Sequence, residues 1–150
     1  MPNWCYNRIT IYGDSETEAK LKEIEEIFES KQPFNEIYPI PDFKNIPNEK
    51  GELPVLRREL NKDGSVFYET YDFPDGKNDD RWYYWCIDNW GTKWELSELD
   101  IEYYEEMLEL TFSSAWSPPE GVMNKLKEKY PDLSFTCFYD EPGMEIAGYY

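Results

Sequence analysis

Two short blocks hold the residue types best suited to gripping a ligand: Trp90-Gly91-Thr92-Lys93-Trp94 and Ala115-Trp116-Ser117-Pro118-Pro119-Glu120. Trp90, Trp94 and Trp116 offer flat ring faces, while Lys93 and the preceding Arg81 offer positive charge, a combination suited to a nucleobase or a nucleotide phosphate. The same residues also suit a core, with Gly91 allowing a tight turn and Lys93 laying its stem across an indole. We read the rings as chiefly structural, because large rings are core and interface material. A pair of rings on loops open to solvent would favour a ligand site instead.

Catalytic constellations fail on inventory. The chain has no histidine, so no Ser-His or Cys-His dyad can form. Cys5 and Cys137 fall on the apolar sides of predicted strands and Cys86 lies among rings, positions of buried thiols rather than nucleophiles. Nothing like a glycine-rich phosphate loop or a calcium-loop spacing occurs. No catalytic residue, metal ligand or cofactor is assigned. Acid-pair chemistry needs only Asp and Glu, so a carboxylate-based enzyme is the third reading.

Charge narrows the partners. Thirty-two acidic residues against fifteen basic ones give a net charge of −17, which repels a phosphate backbone and disfavours ordinary nucleic-acid binding driven by counterion release. A basic partner is the sharper alternative to a merely soluble acidic surface. The carboxylates Glu18, Glu25 and Glu29 recur at helical spacing and make the first predicted helix the candidate partner-binding face. Three cysteines without a CxxC pair point to a reducing compartment, and no apolar run is long enough to cross a bilayer. The expected location is the cytoplasm, with no membrane partner.

The elements that must position these residues are legible from periodicity. Trp4 to Tyr12 alternates as a half-buried strand, with Asn7 the polar exception on the apolar side. Ser15 to Glu18 has capping-box spacing ahead of a helix carrying Leu21, Ile24, Ile27 and Phe28 on one face. From about 31 to 95 the pattern loosens into an insertion, in which Phe34 to Pro41 reads as extended. Leu53 to Leu60 and Ser65 to Tyr71 read as a hairpin across Asp63-Gly64, and Arg81 to Asn89 as a short helix. Leu99 to Tyr104 and Leu108 to Ser113 alternate as two strands joined near Glu105-Glu106. Ser117 reads as the cap of a helix with Pro118 in its first turn, ending before Pro131. Leu133 to Tyr139 and Glu145 to Tyr150 complete the set as strands.

Without the insertion the order is βαββαβ plus a terminal strand. That is the ferredoxin-like α+β arrangement, with helices on one sheet face, in a chain of single-domain length. The second sheet face sets Tyr6 and Tyr12 near Asp100, Glu102, Glu109 and Thr111, with Arg8 as the positive charge. This suits a protein partner, or a covering insertion, better than RNA. The two tryptophan blocks, with Met1-Pro2-Asn3-Trp4-Cys5, Asp140-Glu141-Pro142-Gly143-Met144 and Ala147-Gly148, resemble the YubB-like family carried on bacterial plasmids and phages. That resemblance implies a ferredoxin-like domain and no enzymatic activity. The reading is a non-enzymatic interaction protein that engages a host protein with a basic surface. Its sharpest version is inhibition by nucleic-acid charge mimicry. The alternative is a binder that sequesters a nucleotide-like ligand at Arg81, Trp90, Lys93, Trp94 and Trp116.

Overall fold

The alternation at the start of the chain demands a strand with one dry face. The structure, a computed structural model describing residues 3–150, forms it as β1 (Trp4–Tyr12). Cys5, Asn7, Ile9 and Ile11 are buried, while Tyr6, Arg8 and Tyr12 are exposed. Met1 and Pro2 of the opening block lie outside the described residues. There follow α1 (Glu18–Glu29), α2 (Pro33–Ile37), the hairpin β2 (Val55–Leu60) and β3 (Val66–Asp72), and α3 (Arg81–Asn89). The chain then forms β4 (Ser97–Tyr104), β5 (Met107–Ala115), α4 (Glu120–Lys129), β6 (Ser134–Glu141) and β7 (Ile146–Tyr149).

Two compact units result, one made of the chain up to Pro39 together with Cys86–Tyr150, the other of Ile40–Trp85. The first holds an antiparallel sheet of order β4-β5-β1-β6-β7. Removing β7 leaves the ferredoxin-like order, with β1 between β5 and β6. Leu21, Ile24 and Phe28 of α1 and Val122, Met123 and Leu126 of α4 are buried with Ile9, Ile11, Leu108, Leu110 and Cys137. Each such aliphatic or aromatic side chain contributes about 1.5 to 3 kcal/mol of burial. Burial pushes the Cys5 and Cys86 thiols up to about 11, so neither is an available nucleophile at neutral pH.

The second unit contains the β2–β3 ribbon, with a bulge at Glu59/Leu60 and a turn at Gly64, whose φ is +88°. Its charged centre is Arg81, which forms a bidentate pair with Asp79 at 2.8 and 2.9 Å. The same guanidinium donates to the Phe43 carbonyl at 2.7 Å and lies over the Phe43 and Phe73 rings. The hydrogen bond from Arg81 holds the Asp79 carboxyl below its ordinary range against the opposing effect of burial.

Three local expectations are corrected. Phe34 to Pro41 is not extended throughout, because Pro33 to Ile37 is α2. A distant carboxylate decides this: Glu95 accepts from the first-turn amides of Phe34 and Asn35 at 2.9 and 2.8 Å, a cap that no local spacing encodes. Ser15 does not cap α1. Asp14 accepts from the Glu16 and Thr17 amides, Thr17 Oγ1 accepts from the Asp14 amide, and the helix opens at Glu18. Nor does Ser117 cap α4, whose first residue is Glu120, because its hydroxyl donates elsewhere.

Candidate binding sites at the tryptophan loops and the exposed sheet face

The two tryptophan blocks are locked together backbone to backbone. Gly91, at φ +89°, and Gly121 remove the side chains that would keep the loops apart. A Cβ on Gly121 would stand 1.6 Å from the Asn89 carbonyl oxygen, so only glycine fits there. The Gly121 amide donates to the Trp90 carbonyl at 3.0 Å, the Ser117 hydroxyl to the Gly91 carbonyl, and Thr92 Oγ1 to the Ala115 carbonyl at 2.8 Å. Ser114 Oγ donates to the Ser117 carbonyl at 2.7 Å and accepts from Asn7 Nδ2 at 2.9 Å. Asn7 is thereby satisfied, since its Oδ1 accepts from the Tyr150 hydroxyl at 2.8 Å.

This lock sends the three indoles to different places. Trp90 is 1% exposed, edge-on to Phe34 at 5.6 Å, with its Nε1 donating to the Tyr38 carbonyl at 2.7 Å. Trp94 and Trp116 are 41% and 44% exposed. Lys93 sits between them, its Nζ 4.2 Å from one ring centroid and 5.9 Å from the other. Among the described residues no carboxylate oxygen comes within 4.0 Å of that ammonium. Trp116 has φ +70°, a left-handed backbone that costs a side-chain-bearing residue about 1 to 2 kcal/mol. The expected five-residue site thus contracts to a clasp of Trp94, Lys93 and Trp116. Trp90 is core, and the Arg81 guanidinium is committed to Asp79.

On α1, Glu18 and Glu25 are half-buried and Glu29 is exposed. Lys22 interrupts their stripe and pairs with Glu18 at 3.7 Å. Burial raises the Tyr103 hydroxyl's pKa, with Glu18 and Glu25 raising it and Lys22 lowering it, so these α1 side chains lie near β4.

The exposed face of the sheet carries two features at opposite ends. Where β4 joins β5, Glu102 lies directly across from Glu109 and Tyr104 across from Met107, and Met107 also pairs with Tyr12 of β1. Tyr12 and Tyr104 are exposed, and the Tyr104 hydroxyl donates to Glu102 at 2.8 Å. Like charges set directly opposite on neighbouring strands are destabilising. At the other end, a depression of about 370 Å³ is lined by Tyr6, Arg8, Glu98, Ser113, Phe138 and Asp140, with three further residues. Sequence alternation placed Tyr6 and Arg8 on this face. It gave no signal for Phe138 and Asp140 as their neighbours, which follows from the β1–β6 register, or for the irregularity in β4 that includes Glu98.

Among the described residues no group of acidic and cysteine side chains forms a metal-binding cluster, and no helix is long and apolar enough to cross a membrane. Comparison with known proteins adds one match: residues 89–150 fit the family model described as a ferredoxin-like domain in Api92-like protein. That segment contains both tryptophan blocks and the strands β4 to β7. No curated protein and no solved structure matches the sequence. The chain carries a ferredoxin-like domain.

Proposed function

We propose that the chain is a non-enzymatic interaction protein that binds and modulates a protein partner through a basic surface on that partner. The setting is the cytoplasm, in keeping with three cysteines that lack a CxxC pair, of a plasmid- or phage-bearing cell, as the YubB-like resemblance implies. The opposed Glu102 and Glu109 carboxylates, flanked by exposed Tyr12 and Tyr104, carry this reading. Such a pair stores repulsion that a bound lysine or arginine relieves, and the rings offer faces to the same cations. Asp100, across from Thr111, extends the acidic surface. Nucleic-acid charge mimicry is its most specific form.

The reading yields a paired measurement. Glu109→Lys turns a repulsive cross-strand pair into an attractive one, so the melting temperature is expected to rise by about 1 to 3 °C. Association with a partner captured from the native host is expected to slow in the same variant, and wild-type association to weaken from roughly 0.05 to 0.5 M salt. Reversing Glu18, Glu25 and Glu29 to Lys tests the helix face beside it. If only that reversal slows association, α1 rather than the sheet is the interface. Indifference to salt and to both sets of reversals overturns the proposal.

The exposed indoles favour a second reading, a nucleotide-like ligand stacked at Trp94 and Trp116 with its phosphate on Lys93. Quenching of tryptophan fluorescence by a nucleoside monophosphate, lost in Lys93→Gln, would support it; no quenching would dismiss it.

A further inference from the structure

At the end of the sheet away from the acidic pair, the Arg8 guanidinium lies over the Phe138 ring, 5.2 Å from its centroid. Among the described residues it has no hydrogen-bond acceptor from a side chain and no carboxylate within 4.0 Å. A guanidinium that rests over a ring with none of its donors taken by a side chain keeps its planar fork available, the group that grips a carboxylate with two hydrogen bonds. The opening around it measures about 370 Å³, within the size range of small-ligand sites.

The other lining groups restrict the ligand. Asp140 pairs with Tyr6, and Arg8 with Phe138, on the same two strands. Asp140 is therefore the diagonal neighbour of Arg8 on the same face, about 7 to 8 Å away between backbones, with both side chains free to lean inward. Glu98 closes the far side from the irregular stretch of β4, at φ +54°. Bulged, strained positions of this kind commonly re-aim a side chain toward a site. A dianion would meet two carboxylates here, and a simple cation would meet Arg8. A ligand carrying one charge of each sign on neighbouring atoms satisfies both, and its zero net charge escapes repulsion by a chain of −17.

We propose that this depression binds a free α-amino acid as its zwitterion. The carboxylate sits on Arg8, the ammonium on Asp140, and an apolar or aromatic side chain lies against Tyr6 and Phe138. Glu98 and Ser113 line the rest together with Asn7, Thr111 and Phe112. The depression includes neither Glu102 nor Glu109 among its lining residues, so either reading can fail without the other.

The test is calorimetric titration of the full chain with L-phenylalanine, N-acetyl-L-phenylalanine and L-phenylalaninamide. The acetylated compound lacks the ammonium and the amide lacks the carboxylate. Phenylalanine is expected to bind at least tenfold more tightly than either, a difference of about 1.4 kcal/mol. Arg8→Gln should abolish binding while Arg8→Lys retains part of it, and Asp140→Asn should erase the preference over the acetylated compound. Both residues are exposed, and unchanged circular dichroism will show that the three variants fold. Equal binding of the three compounds, full binding by Arg8→Gln, or no phenylalanine binding up to about 10 mM overturns the proposal.

Discussion

Alanine at Trp90 is expected to lower stability by about 3 to 5 kcal/mol, the cost of removing a large ring from a packed core. The ring is almost wholly buried against Phe34, itself edge-on to Phe112 at 5.8 Å, so the vacated space lies beside the Phe34 ring of α2. Alanine also deletes the indole donor to the Tyr38 carbonyl, leaving that acceptor with one partner fewer. The matching substitution at Trp116 should cost about 1 to 2 kcal/mol, because much of that ring already meets water. Urea denaturation of the two variants decides the matter. Equal losses would mean that Trp90 is not the core anchor its burial indicates.

That contrast shows where sequence reading loses resolution. Residue type and spacing identify the tryptophan blocks, but nothing in either block says which indole faces inward. Trp90 is buried where the chain leaves α3, its own carbonyl accepting from the Gly121 amide. Trp116 is turned outward by a left-handed backbone whose amide donates to the Asn3 carbonyl at 2.9 Å. Both causes are contacts between segments distant in sequence. The strands, by contrast, follow from period two alone. Cys5, Ile9 and Ile11 are buried between exposed or half-buried residues along β1, and Leu108, Leu110 and Phe112 alternate with half-buried residues in β5 up to Thr111, after which the strand is buried on both sides.

Helix starts fail for a related reason. Ser15 and Ser117 have the composition of caps, yet Asp14 and the Gly91 carbonyl take the hydrogen bonds that decide the geometry. The five-residue α2 is invisible locally because its cap is the Glu95 carboxylate, sixty residues away. Burial raises that carboxyl's pKa despite the amides it accepts from, so the cap is charged only at the expense of desolvation. On the sheet face, alternation reveals Arg8 and Tyr6, but the depression requires knowing that β6 lies beside β1.

The largest single-atom effect is expected at Gly121. Adding one methyl group there should destabilise the chain by more than about 3 kcal/mol, at the upper end of overpacking costs. The new Cβ would stand 1.6 Å from the Asn89 oxygen and 2.7 Å from its carbonyl carbon, both backbone atoms at the end of α3, with no flexible side chain to give way. The start of α4 must then retreat by well over an ångström, which breaks the Gly121 amide's bond to Trp90 and strains the Ser117 bond to Gly91. Trp116 sits one residue before Ser117, and Lys93 two after Gly91, so the same retreat parts the clasp. Gly64→Ala is the control. Gly64 also has a positive φ, but its Cβ would meet nothing within 4 Å, and the expected cost is only the backbone term of about 1 kcal/mol. Thermal melts of the two variants, with Trp94 and Trp116 accessibility followed by iodide quenching, separate a backbone collision from a conformational preference. If Gly121→Ala melts with Gly64→Ala and leaves the quenching unchanged, the two loops are not held together at that glycine.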